Sequence, residues 1–331
     1  MGARVAVAGA TGAVGREMVK VLEARSFPMD SLRLFASKAS AGKRIPFQGS
    51  EVKVEALEPG SFEGVDLVFS SLKSGLTRTF VPEAVKRGAV VVDNSSAYRM
   101  DDGVPLVVPE VNANRAREHQ GIVANPNCST IQMVVALAPL HREAGIRRVV
   151  VTTYQAASGA GQKAMEELRE QTRAVLDGAA PKPEAFQHPI AFNVIPHIAE
   201  FEEGGYTFEE MKMLRETRKI LEAPALEVSA TCVRIPVLRA HSEAVHLELE
   251  KKISASEARE IFASAPGVKV LDDPSSALYP MPLDATGRDE VFVGRIREDL
   301  ALDNGLAFWV VADQLLKGAA LNAVQIAEAL L

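Results

Sequence analysis

The sequence predicts an α/β fold in two parts, a doubly wound parallel sheet followed by an α+β domain. Three observations carry this. Between residues 4 and 124, short apolar runs alternate with stretches of helical periodicity. In the second half the apolar runs lengthen, become rich in Val and Thr, and alternate with polar residues. The chain has 331 residues, which at roughly 150 per domain corresponds to about two domains.

The elements follow in order. Residues 4–8 form an apolar run that ends in glycine, as a buried parallel strand does. Residues 13–25 are helical, with Val14, Met18, Val21 and Leu22 on one face. Strands are expected at 32–36 and 66–69, then a helix from about 76 to 87, then strands at 89–92 and 121–124. Strands alternating with helices imply a parallel sheet. A long helix is expected at 129–144, a longer strand at 147–156 and a helix at 161–176. Pro181, Pro183, Pro189 and Pro196 make residues 177–196 an irregular loop. Thr207 opens a helix to about residue 222, with Glu210 at the capping-box spacing. Strands at 227–235, 244–251, 290–297 and 306–311 suggest a largely antiparallel sheet with one face under helices. Residues 315–331 read as a helical tail.

Composition narrows the function. Hydrophobic residues make up 47% and charged residues 24%, which is globular composition. Lys and Arg number 37 against 43 Asp and Glu, a net charge of −6 with no basic block, which argues against nonspecific nucleic-acid binding. The apolar N-terminal stretch is short and rich in Gly and Ala, so neither a membrane span nor a signal peptide is expected. Two cysteines, Cys128 and Cys232, are too few for a disulfide framework and suit a reducing compartment. A cytoplasmic protein is the expectation, with no metal, since no Cys or His cluster has ligand spacing.

Gly9-Ala10-Thr11-Gly12-Ala13-Val14-Gly15 lies between a predicted strand and a predicted helix. Glycines there permit a tight turn and close approach of a pyrophosphate, which the helix N-terminus then attracts. The spacing is G-x-x-G-x-x-G, so a ligand-free turn stays open on pattern alone. The second strand ends Phe35-Ala36-Ser37-Lys38-Ala39-Ser40, without the acid that would hold a ribose 2′-hydroxyl. Ser37, Lys38 and Ser40 suit a 2′-phosphate instead, which favours NADP; a solvated loop is the alternative.

Cys128 stands just before a long apolar helix, in Asn125-Pro126-Asn127-Cys128-Ser129-Thr130. The positive helix end favours a thiolate. Cys232 sits inside a strand pattern and reads as core packing. A nucleophilic cysteine beside a nicotinamide domain has a chemical logic. Thiolate and aldehyde form a thiohemiacetal, hydride transfer gives a thioester, and a histidine serves the proton movements.

In chain order, residues 9–15, Asn94-Ser95-Ser96-Ala97-Tyr98-Arg99, residues 125–130, Tyr154-Gln155-Ala156-Ala157-Ser158-Gly159-Ala160-Gly161, Arg234-Ile235-Pro236-Val237 and Ala240-His241-Ser242-Glu243 resemble the signatures of the aspartate-semialdehyde dehydrogenase family. The short middle segment is similar to the form common in Gram-positive and related bacteria. The resemblance implies a glyceraldehyde-3-phosphate dehydrogenase-like architecture. Residues 1–128, completed by 313–331, would be the Rossmann-type NADP domain, and 129–312 the catalytic and dimerisation domain.

It also implies roles. Cys128 would form the acyl-thioester, His241 would act as acid/base and Gln155 would orient substrate. Arg234 would bind the α-carboxylate, Glu209 the α-ammonium, and Arg99, Asn127 and Lys212 the phosphate. Gly9, Thr11, Gly12, Ala13, Val14, Ser37, Lys38, Ala39, Ser40, Ser158, Gly159 and Gln314 would contact NADP. The implied reaction reduces aspartyl phosphate to the semialdehyde for lysine, methionine and threonine synthesis, in a homodimer or a tetramer. Spacing alone reads Glu209 and Lys212 as a surface ion pair and Arg99 as a loop charge, and leaves His246 beside His241 as a base. N-acetyl-γ-glutamyl-phosphate reductase is the nearest rival, with Asn-Pro-Gly-Cys-Tyr where this chain has Asn127-Cys128-Ser129. The Ser-Cys-Thr-Thr-Asn run of glyceraldehyde-3-phosphate dehydrogenases is absent. A non-catalytic NADP-sensing regulator would not need Cys128 and His241 together.

Overall fold

A computed structural model describes residues 2–331. They divide into two units, one running to Asn127 and including Ala319–Leu331, the other Cys128–Gly318. The expected division placed Cys128 and residues 313–318 in the first unit. Both stretches instead belong to the second, because Cys128 is already the first residue of a helix built into it, and Asp313 binds Arg239 and Gly287 of the same unit.

In the first unit, β1 (Ala3–Ala8), α1 (Ala13–Ala24), β2 (Met29–Ala36), β3 (Arg44–Phe47), β4 (Ser50–Ala56), β5 (Leu67–Ser70), α2 (Ser74–Lys86), β6 (Val90–Asp93), α3 (Pro109–Asn112) and β7 (Ile122–Ala124) follow in order. Among the described residues the sheet order is β3-β4-β2-β1-β5-β6-β7, parallel except for the β3–β4 hairpin. The hairpin escaped the sequence reading because its residues are charged or exposed at alternate positions, which an edge tolerates and a central strand does not. The inner strands are apolar on both faces. Val5, Val7, Leu34 and Phe69 are buried, and Met18, Val19 and Leu22 of α1 are buried with them. The chain order reverses at β1, which lies between β2 and β5, so the crevice at its carboxyl end is where a ligand binds in such sheets.

The C-terminal helix (Leu321–Leu330) packs within this unit on α1. Arg25 grips Glu328 with two bonds of 2.7 and 2.8 Å. Asn322 Nδ2 donates to Val107 O and Asn125 Oδ1, at 3.0 and 2.7 Å. The tail is not one α-helix: Leu316–Ala320 forms a wider π-turn before it.

The second unit opens with α4 (Cys128–Ala144), then β8 (Ile146–Gln155), α5 (Gln162–Leu176), α6 (Phe208–Ile220), β9 (Glu227–Arg234), β10 (His241–Leu249), α7 (Ala255–Ser264), β11 (Val268–Val270), α8 (Pro282–Ala285), β12 (Val291–Glu298) and β13 (Gly305–Ala312). Among the described residues the sheet order is β11-β12-β13-β10-β8-β9. It is mixed rather than largely antiparallel, since β8–β9 and β11–β12 run parallel. A parallel β8–β9 pair needs a long crossover, and α5, the proline-rich loop and α6 provide it. Helix α6 forms the expected capping box: Thr207 N–H donates to Glu210 Oε2 at 2.7 Å, and Glu210 N–H to Thr207 Oγ1 at 3.4 Å.

Helix α4 is apolar nearly all round, so it is buried. It lies on the sheet against β8, β10, β12 and β13, while α6 packs on β9. Strand alternation then decides which side chains face these helices. His241, Glu243, Val245, Leu247 and Leu249 of β10 are buried. Register places Thr153 opposite both Glu243 and Cys232, and Gln155 opposite Arg234. Among the described residues no helix is long and apolar enough to cross a membrane.

Packing of α1 against its own loop yields a test. A Cβ on Gly15 would stand 2.2 Å from Gly9 O, a backbone atom. Gly15→Ala is expected to cost about 1–3 kcal/mol, seen as a lower urea midpoint with unchanged slope. An unchanged midpoint would contradict the packing.

Candidate active site

In the first unit the glycine loop joins β1 to α1 at the sheet's reversal point. Gly9 (φ +85°) turns the chain where a Cβ would meet Ser71 Oγ at 2.7 Å and Ser71 O at 2.8 Å. The N–H groups of Gly9 and Ala10 both donate to Phe35 O, at 2.8 and 3.0 Å, tying the turn to the end of β2. Gly12 is the N-cap of α1 and has no side-chain cap, so first-turn N–H groups are available to an anion. A Cβ on Gly12 would approach nothing closer than Gly9 O at 3.4 Å, so the space in front of the helix is open. These features fit a dinucleotide pyrophosphate. After β2, Ser37 precedes a short turn of Lys38–Ser40. Lys38 is exposed and pairs with Glu58 at 3.3 Å.

Arg99 belongs to the same unit and is not an ordinary loop charge. It is buried, its Nε donates to Asn125 O at 3.0 Å, and its Nη2 donates to Asn94 O at 2.8 Å. Asn125 Nδ2 in turn donates to Asn94 Oδ1 at 3.0 Å. The arginine is therefore pinned beside the Asn94–Arg99 and Asn125–Asn127 turns, and Asn127 is buried there too.

In the second unit Cys128 is the first residue of α4 and is partly exposed. Its neighbour Ser129 accepts a hydrogen bond from Gln155 Nε2. The same Nε2 donates to Glu209 Oε1 at 3.1 Å, and Glu209 Oε2 pairs with Lys212 Nζ at 2.5 Å. Glu209 is only 6% exposed. The ion pair that spacing suggested at the surface is thus half-buried, with Glu209 buried and Lys212 partly exposed, because α6 turns this face toward β9 and α4.

His241 is fully buried and opens β10, three residues before the strand expected from alternation. Ala156 N–H donates to its Nδ1 at 3.0 Å. With that lone pair committed, the neutral ring carries its proton on Nε2. Arg234 Nη1 donates to Ala156 O at 2.6 Å. One residue's backbone therefore holds both side chains. A Cβ on Gly159 would lie 2.9 Å from Arg234 Nη1 and 3.1 Å from His241 Nε2, so only glycine lets the chain lie against both. Burial and then the Arg234 charge push His241 down to about 3, with Glu209 opposing. Burial also lowers Arg234, opposed by Glu209 and then Cys128.

Ser158 and Gln314 come together as well, but on each other. Gln314 Nε2 donates to Ser158 Oγ, and Gln314 Oε1 accepts from Ala240 N–H at 2.8 Å. Both therefore brace the turn before His241. His246 lies on the opposite sheet face, bound through Nδ1 to Asp299 Oδ2 at 2.5 Å, and cannot join Cys128. Cys232 is buried, and burial, then Glu209, pushes its thiol up. Sequence reasoning missed Ser129, the double role of Ala156 and the Asp313–Arg239 pair at 2.6 Å. Ser129 was within the quoted motif, whereas backbone roles carry no side-chain signal. Among the described residues no trio of His, Cys, Asp or Glu clusters as a metal site.

Comparison with known proteins agrees along the whole chain. The family described as semialdehyde dehydrogenase, NAD binding domain, matches residues 4–119, and semialdehyde dehydrogenase, dimerisation domain, matches 137–317. The chain is 57% identical to the aspartate-semialdehyde dehydrogenase of Aquifex aeolicus, over 100% of this chain and 98% of that protein. The fold is similar to aspartate semialdehyde dehydrogenase II of Vibrio cholerae complexed with ASA, at TM-score 0.97 and 45% identity, covering 100% and 98% of the two chains. The Candida albicans enzyme with NADP is similar at TM-score 0.75 and 27% identity, with the same coverage.

The contrast between the two cysteines can be measured. In the native protein near pH 7, iodoacetamide is expected to label Cys128 at its helix start and spare Cys232. Mass spectrometry that found equal labelling would remove Cys128's claim to be the accessible thiolate.

Proposed function

The chain belongs to the aspartate-semialdehyde dehydrogenase family, and we propose that it reduces L-aspartyl 4-phosphate to L-aspartate 4-semialdehyde through a thioester on Cys128. It is an NADP-dependent, phosphorylating aldehyde dehydrogenase of amino-acid biosynthesis. The observation that supports the site assignment is the enclosure, within one unit, of a helix-start cysteine with a neutral histidine and a buried arginine held by the same backbone residue.

Cys128 attacks the acyl carbonyl as a thiolate favoured by the start of α4. The carbonyl π electrons move onto oxygen, and the Nε2–H of His241 donates to that oxyanion. When the π bond re-forms, the C–O bond to phosphate breaks and the thioester remains on Cys128. NADPH, when bound, supplies the hydride that reduces the thioester carbon. The resulting thiohemiacetal oxyanion again faces His241, and its collapse breaks the C–S bond and returns the thiolate. His241 thus acts chiefly as a donor from Nε2, since Ala156 already occupies Nδ1.

Arg234 keeps one N–H on Ala156 O and offers the rest of its fork to the α-carboxylate. Glu209 binds the α-ammonium, which displaces Lys212 and frees that lysine for the phosphoryl group. Arg99 and Asn127 complete the phosphate contacts, and Gln155 orients the substrate from its bond to Ser129. Gly9, Thr11, Gly12, Ala13 and Val14 hold the pyrophosphate and Ser37, Lys38, Ala39 and Ser40 the 2′-phosphate, with Ser158, Gly159 and Gln314 as further cofactor contacts. The second unit supports a homodimer, or a tetramer of two such dimers, working in the cytoplasm.

Phosphate-dependent oxidation of aspartate semialdehyde by NADP is the decisive assay. Activity is expected on this substrate, and activity confined to the N-acetylglutamate semialdehyde would overturn the assignment. Cys128→Ser should lower kcat by at least about three orders of magnitude, while Cys232→Ser should leave it nearly unchanged. kcat/KM should favour NADP over NAD, because no acid follows β2 to receive a ribose hydroxyl; equal values would refute the placing of the 2′-phosphate.

A further inference from the structure

Next to Cys128 and His241 lies a second polar layer that the reaction above leaves unused. Gln132 follows Cys128 by one turn of α4, so the two share a face. Glu243 follows His241 by two residues on β10, so these also share a face. Both side chains are completely buried. Gln132 Nε2 reaches the His241 carbonyl oxygen at 3.5 Å. Gln132 Oε1 and both Glu243 oxygens have no hydrogen-bond partner.

An ionised carboxylate offers acceptors only, so it cannot satisfy an amide oxygen, and burying one without a counter-ion is costly. A neutral carboxylic acid has one donor and one acceptor and matches a primary amide. Its O–H takes Oε1, its carbonyl takes one N–H, and the second N–H remains for His241 O. We propose that Glu243 is kept as a neutral acid paired with the Gln132 amide, and that this pair fixes the His241 backbone, making both positioning residues for the histidine.

The surroundings agree. Burial raises the Glu243 carboxyl well above the usual range, and only the neighbouring Gln132 amide opposes it. The titratable or charged groups on the same covered face are His241 on β10, Cys232 and Arg234 on β9, Glu209 and Glu210 on α6, and Cys128 at the start of α4. None of these offsets the burial of Glu243, although the Glu243 carboxyl is itself among the charges that raise the Cys232 thiol. On α4 the facing group is Gln132, on β8 the opposite residue is Thr153, and on β13 it is Val310. A carboxyl retained here at a cost in stability has a reason that an apolar residue would not supply.

This inference rests on the proposed reaction, and the test separates the two. Glu243→Gln, Glu243→Leu and Gln132→Leu are made in the full chain and assayed with aspartate semialdehyde, phosphate and NADP. Glu243→Gln preserves the donor and acceptor and should keep kcat within about twofold. The two leucine variants should lose roughly ten- to a hundredfold in kcat, with KM changed by less than about twofold. A Glu243→Gln loss as large as that of Glu243→Leu, or full kcat in both leucine variants, would overturn the positioning role. If Glu243→Leu does not fold, Gln132→Leu and Glu243→Gln decide.

Urea unfolding gives a second readout that needs no substrate. The folded state holds the Glu243 proton while the unfolded carboxyl loses it near pH 4.3, its ordinary value of about 4.3. The folded state then binds more protons, so this residue's contribution to stability falls as pH rises. Glu243→Gln should therefore gain on the wild type between about pH 5 and 8, and a pH-independent difference would refute the neutral acid. Failure to oxidise either semialdehyde would sink the proposed reaction while leaving this readout in force.

Discussion

The second unit depends on the peptide groups of one residue, Ala156. Its N–H occupies Nδ1 of His241 and its C=O holds Nη1 of Arg234. A histidine and an arginine buried side by side would ordinarily repel, and the arginine charge does help hold the imidazole neutral. The backbone settles the geometry: it selects the tautomer with Nε2–H free, and it fixes the guanidinium without using its whole fork. Gly159 can then lie against both because it has no Cβ.

Around this point the sheet acts as a sorting device. Alternation and register bring His241, Gln155, Arg234 and Cys232 to one covered face, beneath α4 and α6. His246, only five residues from His241, is turned to the other face, where it binds Asp299. The apolar length of α4 anchors its first turn, so Cys128 stands at a helix start that the rest of the helix keeps rigid. In the first unit the parallel sheet does corresponding work, setting the glycine loop at the carboxyl end of β1 and bracing it through Phe35 and Ser71.

Charge within the second unit is paired rather than left alone. Glu209 is held between Gln155 and Lys212, so each charge has a partner. Removing either partner would leave a poorly solvated charge alone, which is the costly case. The net charge of −6 therefore says little about this unit, where Arg234 is sequestered.

The sequence by itself determined the alternating sheet of the first unit, the glycine turn, the preference for NADP and the placing of Cys128 at a helix start and Cys232 in a buried strand, because each is written in local periodicity or in what precedes or follows an element. Motif order also singled out His241 and Arg234, which no spacing rule would have joined, whereas Glu209 lies in no such motif and came only with the family resemblance. The edge hairpin at residues 44–56 was illegible because an exposed edge needs no apolar run. Only the tertiary structure decided that Glu209 is buried against Lys212, that His241 is neutral with its proton on Nε2, and that Gln314 and Ser158 brace the turn beside it. Those facts depend on burial and on backbone hydrogen bonds between residues distant in sequence, such as Ala156 with His241, and a peptide N–H is the same at every position until the fold aims it.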